Sequence, residues 1–273
     1  MEQVLFIVWR ESVEAMLVIG ILHAWLSQNP VTGGKRWLWG GVLAGLLLAA
    51  LLALGLFAAS ELFGSYQDMF QAAMVFTAAA LIVHMVLWMR EHGRNLKCEL
   101  EAGLAASSAR HNGWGILLLV ALAVGREGSE TVVFLYGTLS GSETLWPLLL
   151  AGTAGFLLAL LSFWLLQLGG RYLSWRLFFR VTEVMLLLLA AALFTSGIDK
   201  LISLDILPAL VDPLWDSSAL LDDMSASGGV VSALTGYRAH PALMTLLAYA
   251  GYWLAVLALM RWRGRRVVTR LAA

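Results

Sequence analysis

The sequence predicts an all-α, polytopic membrane protein with seven transmembrane helices. Of its 273 residues, 60% are hydrophobic and only 13% are charged, whereas a soluble domain carries about 25% charge. Seven apolar runs are each long enough to cross the ~30 Å hydrocarbon core of a bilayer. The basic residues between these runs alternate in density from one connection to the next, as in proteins that follow the positive-inside rule.

The predicted spans follow from these runs in order: 4–26, 37–59, 70–89, 116–139, 145–168, 178–201 and 241–260. The first is expected to be a retained helix, because the start of the chain lacks the basic region and small-residue cleavage site of a signal peptide. Segment 90–112 is polar and mixed in charge, which favours a cytoplasmic helix or surface loop. Segment 199–240 is predicted to be a long outer loop with six aspartates, of which 228–237 is apolar enough to dip into the membrane.

Basic residues set the expected orientation of the chain. The connections after spans one, three and five, together with the C-terminal tail, hold Lys35, Arg36, Arg90, Arg94, Lys97, Arg110, Arg171, Arg176, Arg180, Arg261, Arg263, Arg265, Arg266 and Arg270. The opposite side holds only Lys200 and Arg238. The positive-inside rule therefore predicts an outer N-terminus and a cytoplasmic C-terminus, in agreement with an odd number of spans.

An internal repeat is expected within a single permease domain. Residues 1–90 and 112–201 are predicted to form two three-helix repeats of inverted topology, an arrangement common in transporters. Residues 202–240 form the outer acidic loop, and 241–273 form the last helix with a basic cytoplasmic tail. Beyond one shared motif the two halves are only weakly similar in sequence.

That motif, R-E-x-x-E, places charge inside two apolar runs. Its copies are Arg10, Glu11 and Glu14 in span one, and the equivalent residues of span four, Arg126, Glu127 and Glu130. A charge at the centre of a membrane helix costs roughly 2.5–3.5 kcal/mol. At 100° per residue, each motif occupies a sector about 100° wide, so that face should point into the bundle. Arginine and the second glutamate are spaced i,i+4 and are expected to pair.

The predicted spans one and four run in opposite directions, so their glutamates can converge. Four carboxylates and two guanidiniums leave a formal excess of negative charge that suits a cation. Carboxylate oxygen favours hard or borderline metals such as Mg, Ca, Mn and Fe. A pair of Arg–Glu staples between helices is the alternative, but staples would not need a spare glutamate in each motif. Gly125 and Gly128 are expected to let another helix approach the second motif closely.

The two motifs resemble the paired R-E-G-L-E motifs of the oxidase-dependent iron permease (iron/lead transporter) family, including its bacterial EfeU-type members. The similarity covers nearly the whole chain: residues 86–90 resemble the end of the family's third span, and Gly236, Tyr237 and Pro241 resemble the start of its last helix. Ser12, Val13 and Ser129 depart from the family motif, but its charged positions are intact. The family has seven spans with the N-terminus outside.

The resemblance implies a high-affinity iron uptake permease in the bacterial inner membrane. By it, Glu11, Glu14, Glu127 and Glu130 are the metal ligands, with Arg10 and Arg126 as their pairing cations. It also implies a separate oxidase or iron-delivery protein on the outer side, and iron as transported substrate without a resident cofactor. Four further residues are assigned supporting roles: Gln71, where relatives often carry Glu; Glu183, early in span six; and the outer pair Asp222 and Asp223.

Alternative functions follow from the same residues. The site suits another divalent cation such as lead or manganese, and a non-transporting membrane scaffold of a redox complex would need large partner surfaces but no continuous polar path. An enzyme is not expected, because H-E-x-x-H, G-x-S-x-G and P-loop motifs are absent from the sequence. A formal net charge of zero does not favour nucleic acid as a partner. His84 in span three is expected to be a hydrogen-bonded core residue.

Overall fold

The computed structural model describes residues 2–29, 31–62, 64–92, 96–109, 113–138, 145–168, 175–223 and 225–271. Its secondary structure within these ranges is helical. The helices are α1 (Glu2–Gln28), α2 (Gly34–Leu62), α3 (Gln67–His92), α4 (Leu96–Ala109), α5 (Gly113–Thr138), α6 (Leu145–Leu168), α7 (Trp175–Ser203), α8 (Ala226–Thr235) and α9 (Leu243–Leu271), with a 3-10 turn at Gly64–Tyr66.

Each predicted span coincides with a long helix. The shorter helices α4 and α8 lie within the two segments that were not predicted to be simple spans, 90–112 and 199–240. Leu139, the last residue of the predicted fourth span, and Asn112, the first residue of the predicted second repeat, lie outside the described residues. The last helix begins two residues later than predicted, after Pro241, and continues through the basic segment to Leu271. Arginine is a good helix former, so the helix need not end where the apolar run ends.

Within the described ranges, five helical segments are long and apolar enough to cross a membrane: Gly34–Leu62, Gln67–Arg90, Trp146–Leu165, Arg180–Ser203 and Leu243–Arg263. The many leucines exposed along α2 and α6 agree with a lipid surrounding, since lipid is as apolar as the side chains that face it. The chain is therefore an integral membrane protein. Helices α1 and α5 are not among these five segments, because each carries the three charges of its motif.

The chain divides into two compact units. The first consists of 1–67 and 89–182, and thus holds α1, α2, α4, α5 and α6; the second consists of 68–88 and 183–273, and holds most of α3 and α7 with α8 and α9. Both motifs lie in the first unit. The division into two three-helix repeats remains a prediction.

In the first unit, each motif helix packs mainly on a helix from the other half of the chain. Helix α2 packs along α5, α1 packs along α6, and α1 and α5 also contact each other. Helix α4 packs on α5 and α1, with Leu104 fully buried in a core that includes Leu22, Leu38 and Ile116. The polar segment after α3 therefore contains a helix that contributes to the core.

Two glycines allow the backbones of these helices to come into direct contact. A Cβ atom on Gly45 of α2 would lie 2.8 Å from the Gly125 nitrogen, and one on Gly155 of α6 would lie 2.6 Å from the Leu5 oxygen. The contacted positions on α5 are Ala121, Val124 and Gly125; those on α1 are Leu5, Val8 and Trp9. The same displacement of 116 positions relates these two sets and relates Arg10 to Arg126. The two helices that carry the motifs, α1 and α5, are thus contacted by a glycine at equivalent positions.

We expect the substitution Gly45→Ala to destabilise the first unit. The new methyl group would meet the α5 backbone, which cannot move aside as a side chain can, and overpacking of this kind costs about 1–3 kcal/mol. Gly55→Ala on the same helix is the matched control, because a Cβ atom on Gly55 would have nothing within 4 Å. Thermal unfolding of the purified protein in detergent should show a lower midpoint for the first variant only. Equal midpoints would show that the close approach is not required.

The second unit is held together by polar contacts at one end and aromatic contacts further along. Asp199 at the end of α7 accepts hydrogen bonds from Arg238 Nε at 3.1 Å and from Thr245 Oγ1 of α9 at 2.6 Å. Gly236 ends α8 in the left-handed conformation, with φ of 76°, and lies so close to α7 that a Cβ would be 2.9 Å from Thr195 Oγ1. Asp199 and Gly236 therefore fasten the loop after α7 and helix α8 onto α7 and α9.

Candidate metal centre

The first motif forms a compact, buried ion cluster within α1. Arg10 Nη1 donates to Glu11 Oε1 at 2.6 Å, and Arg10 Nη2 donates to Glu14 Oε1 at 2.5 Å. Arg10 is 1% exposed and Glu11 is 2% exposed. The expected i,i+4 pair is present, and the same guanidinium also binds the adjacent carboxylate. The Arg10 guanidinium is therefore shared between two carboxylates, because the helical period places the three side chains on one face.

The second motif is more open. Arg126 Nε donates to Glu130 Oε1 at 2.8 Å, again at i,i+4, but the Arg126 side chain is 37% exposed. Glu127 is buried, and Thr131 donates its hydroxyl to the Glu127 carbonyl. The space for this arrangement depends on small residues: a Cβ on Gly128 would lie 2.7 Å from Ala49 Cβ of α2. The prediction that Gly125 and Gly128 allow close approach is confirmed.

Three of the four motif glutamates come together across the α1–α5 contact. Glu11, Glu14 and Glu127 each place a carboxylate oxygen within 4.8 Å of the others, a spacing that can hold a metal ion. We call these three residues the carboxylate cluster. Within the part of the chain that the structure describes, Glu130 is not in this group and is paired with Arg126.

Unused acceptor capacity lies at the same place. The Oε2 atoms of Glu11, Glu127 and Glu130 are buried and, among the described residues, have no hydrogen-bond partner. A buried carboxylate oxygen without a donor is costly, so these atoms favour a cation or water as their ligand. Oxygen-only donors suit hard and borderline metals.

The supporting residues lie elsewhere. Gln71 on α3 and Glu183 on α7 belong to the second unit, where Gln71 accepts a hydrogen bond from Lys200. Asp222 and Asp223 precede α8; the Asp222 carbonyl accepts hydrogen bonds from the Ser225 amide and hydroxyl at the start of that helix. His84 is exposed on α3, so the expectation of a buried core histidine is wrong: the face of α3 that carries it borders a groove.

Sequence reasoning missed several contacts. It did not select Lys200 as the partner of Gln71, although a single lysine near the end of an apolar run is a usable signal. It also missed the hydrogen bond from Trp9 Nε1 to Ser162 Oγ at 2.9 Å, which joins α1 to α6 beside the first motif. Of the aspartates in the predicted outer loop, Asp216 lies 3.1 Å from His240, and hydrogen bonds from Ser218 hold the pKa of Asp216 below its usual value.

Comparison with known proteins gives one consistent result. The family model described as "Iron permease FTR1 family" matches residues 1–268. "Ferrous iron permease EfeU" of Escherichia coli O157:H7 is 30% identical over 259 residues, covering 92% of each chain. The protein of the same name from Yersinia pestis is 28% identical over 261 residues, covering 93% of this chain and 90% of the relative.

A third relative adds a useful contrast. "Putative inactive ferrous iron permease EfeU" of Escherichia coli strain K12 is 30% identical over 257 residues, covering 92% of each chain. Overall similarity therefore does not by itself separate a relative named as inactive from those named as ferrous iron permeases. No solved structure matches this chain.

Proposed function

Because this chain belongs to the iron permease FTR1 family, a family of transporters rather than enzymes, we propose that it takes up iron with high affinity across the bacterial inner membrane. The observation that carries this proposal is the carboxylate cluster. Three acids from two helices meet there, and among the described residues two of them retain a buried oxygen atom without a donor. Iron is the substrate, and Glu11, Glu14 and Glu127 are its proposed ligands.

The proposed topology has seven spans, with α1 and α5 added to the five apolar segments. The charge distribution supports an outer N-terminus and a cytoplasmic C-terminus. With this orientation α1 runs inward and α5 runs outward. Helix α6 contacts α1 at the same positions, relative to the motif, at which α2 contacts α5. This equivalence supports an inverted repeat. Both motifs can then present acids to one ion from opposite sides.

The two second glutamates lie in opposite directions along this proposed path. Glu14 is three residues beyond Glu11, about 4.5 Å towards the cytoplasm, and Glu130 is three residues beyond Glu127, about 4.5 Å towards the outside. The cluster includes Glu14 but not Glu130. We propose that iron first meets Glu130 and displaces it from Arg126. Transfer to the cluster then exchanges Glu130 for Glu14, and release follows on the cytoplasmic side.

Energy for uptake has to come from outside the chain's own chemistry, since its sequence contains no nucleotide-binding motif. The membrane potential contributes about 2.3 kcal/mol per charge per 100 mV, which doubles for a divalent ion. A separate outer oxidase or iron-binding protein is the proposed partner that presents iron. We assign Asp222 and Asp223, in the proposed outer loop, the role of attracting cations to the outer surface.

Radioactive iron uptake tests the proposal directly. Expression of the chain in bacteria that lack their own iron uptake systems should raise ⁵⁵Fe accumulation well above that of the empty vector. Excess unlabelled iron should compete more strongly than manganese or lead. Accumulation equal to the empty vector would favour a scaffold role, and preferential competition by manganese or lead would reassign the substrate.

A further inference from the structure

A groove in the second unit is lined by α3, α7 and α9. Its volume is about 520 Å³, within the ~300–1,000 Å³ of typical small-molecule sites. The walls are almost entirely apolar, with Phe76, Val83, Phe194, Tyr252 and Val256 among the lining residues. We call this cavity the α3–α9 groove. It lies in a different unit from the motif glutamates and has no part in the proposed iron path.

The Tyr252 hydroxyl in the wall is bonded to another partner. Tyr252 donates its hydroxyl to the Leu187 carbonyl at 2.9 Å, so it presents its ring rather than its hydroxyl group. Phe194 lies between Phe76 and Tyr252, with ring centroids 5.5 Å and 5.7 Å apart. This aromatic floor is fixed by packing. An occupant of the groove therefore has to be hydrocarbon along most of its length.

The length of the groove matches one leaflet of a bilayer. Its lining runs from Phe76 to Leu87 on α3 and from Tyr252 to Arg263 on α9. Eleven residues at 1.5 Å rise span about 16–17 Å, about half of the ~30 Å hydrocarbon core. A transmembrane helix from a partner would follow the full core. The dimensions favour a single acyl chain that enters from one leaflet.

Charge is concentrated at one end of the groove. Arg263 ends the α9 wall, and His84, which is exposed, lies one turn before the end of the α3 wall. Basic pockets between membrane helices on the cytoplasmic side are typical sites for anionic lipid headgroups. With the proposed orientation, which places the C-terminus in the cytoplasm, the cationic end lies where the phosphate of a lipid in the inner leaflet would lie.

We propose that the α3–α9 groove binds an anionic phospholipid, with one acyl chain along the aromatic floor and the phosphate beside Arg263 and His84. The bound lipid would fill a space between helices that the protein's own side chains leave open. It would thereby stabilise the packing of α3 against α9 within the second unit.

The test compares lipid binding by the purified full-length chain in detergent. Native mass spectrometry and thermal midpoints would be recorded with added phosphatidylglycerol and, separately, with phosphatidylcholine. We expect phosphatidylglycerol to be retained and to raise the midpoint more. The substitution Arg263→Gln should weaken phosphatidylglycerol binding about fivefold, the effect of one basic contact. Arg261→Gln, an exposed arginine that does not line the groove, should have little effect.

A second pair of variants tests the acyl-chain site without changing charge. Ala255→Trp fills the groove and should lower retention of both lipids, whereas Ala258→Trp, at an exposed position of the same helix outside the lining, should not. Equal losses from Arg261→Gln and Arg263→Gln would reduce the effect to general attraction by the basic end. Unchanged binding in Ala255→Trp, or a second copy cross-linked at the groove, would overturn the proposal.

Discussion

Substitution of Glu127 by glutamine is expected to reduce iron uptake to background. Glu127 is the only member of the carboxylate cluster that α5 contributes. An amide keeps the volume and one acceptor oxygen, but it removes a charge and turns a donor towards Glu11 and Glu14. Loss of a group that only supports a metal ligand typically costs about 10–100-fold in affinity, so loss of a proposed ligand should weaken iron binding by the purified protein by at least about that factor.

The matching change at Glu130 should separate binding from transport. Glu130 is paired with Arg126 and is outside the cluster, so Glu130→Gln should retain near-normal iron affinity in detergent. Uptake should still fall strongly, because the proposed first contact for iron is lost. Isothermal titration and ⁵⁵Fe uptake into cells are the two measurements.

Glu61→Gln, an exposed position on α2 in the same unit, is the control for the loss of a carboxylate as such. Membrane abundance of every variant has to be equal by immunoblot. Near-normal uptake by well-expressed Glu127→Gln would remove the cluster from the transport path. Equal loss of iron affinity in the two motif variants would show that Glu130 is a permanent ligand rather than a transient one.

The second large effect concerns Arg10, whose replacement by methionine should strongly destabilise the protein. The side chain is 1% exposed and is hydrogen-bonded to both Glu11 and Glu14. Its loss leaves two carboxylates buried without their shared cation. Removal of one partner of a buried ion pair costs about 3–5 kcal/mol, which should appear as low membrane abundance and a low thermal midpoint.

Arg126→Met is the matched comparison in the second motif. That side chain is 37% exposed, whereas Arg10 is 1% exposed, and ion pairs weaken with exposure, so its midpoint should fall by less than that of Arg10→Met. Adding Glu11→Gln and Glu14→Gln to Arg10→Met should restore part of the lost stability, because the stranded charge is gone. Equal destabilisation by the two arginine variants, or no rescue, would contradict the unequal roles assigned to them.

The long helices were predictable because the bilayer imposes a simple rule. Backbone polar groups in lipid must be paired within the chain, so each apolar run of sufficient length becomes a helix. The face shared by Arg10, Glu11 and Glu14 followed from the helical period alone, as did the pairing of each arginine with the second glutamate. Local spacing also indicated that Gly125 and Gly128 would allow a neighbouring helix to approach.

The choice of neighbours was not predictable. Nothing in the local pattern of Gly45 distinguishes it from Gly55 on the same helix, yet one touches the α5 backbone and the other has open space. The apolar neighbours of His84 predict a core position, but the side chain is exposed at a groove instead. Lys200 reaches Gln71 across 129 positions of sequence. Such pairings depend on which helix faces meet, and a helix in lipid has several apolar faces of similar hydropathy.

The sequence by itself determined the helices, their membrane setting and the acidic residues available for a cation. The tertiary structure decided which acids meet and which arginine is buried. Two motifs with the same spacing became unequal, since Arg10 binds two carboxylates out of contact with solvent while Arg126 holds Glu130 outside the cluster. The physical reason is that exposure and side-chain partners are properties of packed helix pairs, and a one-dimensional pattern repeated twice carries no information about which copy will be enclosed.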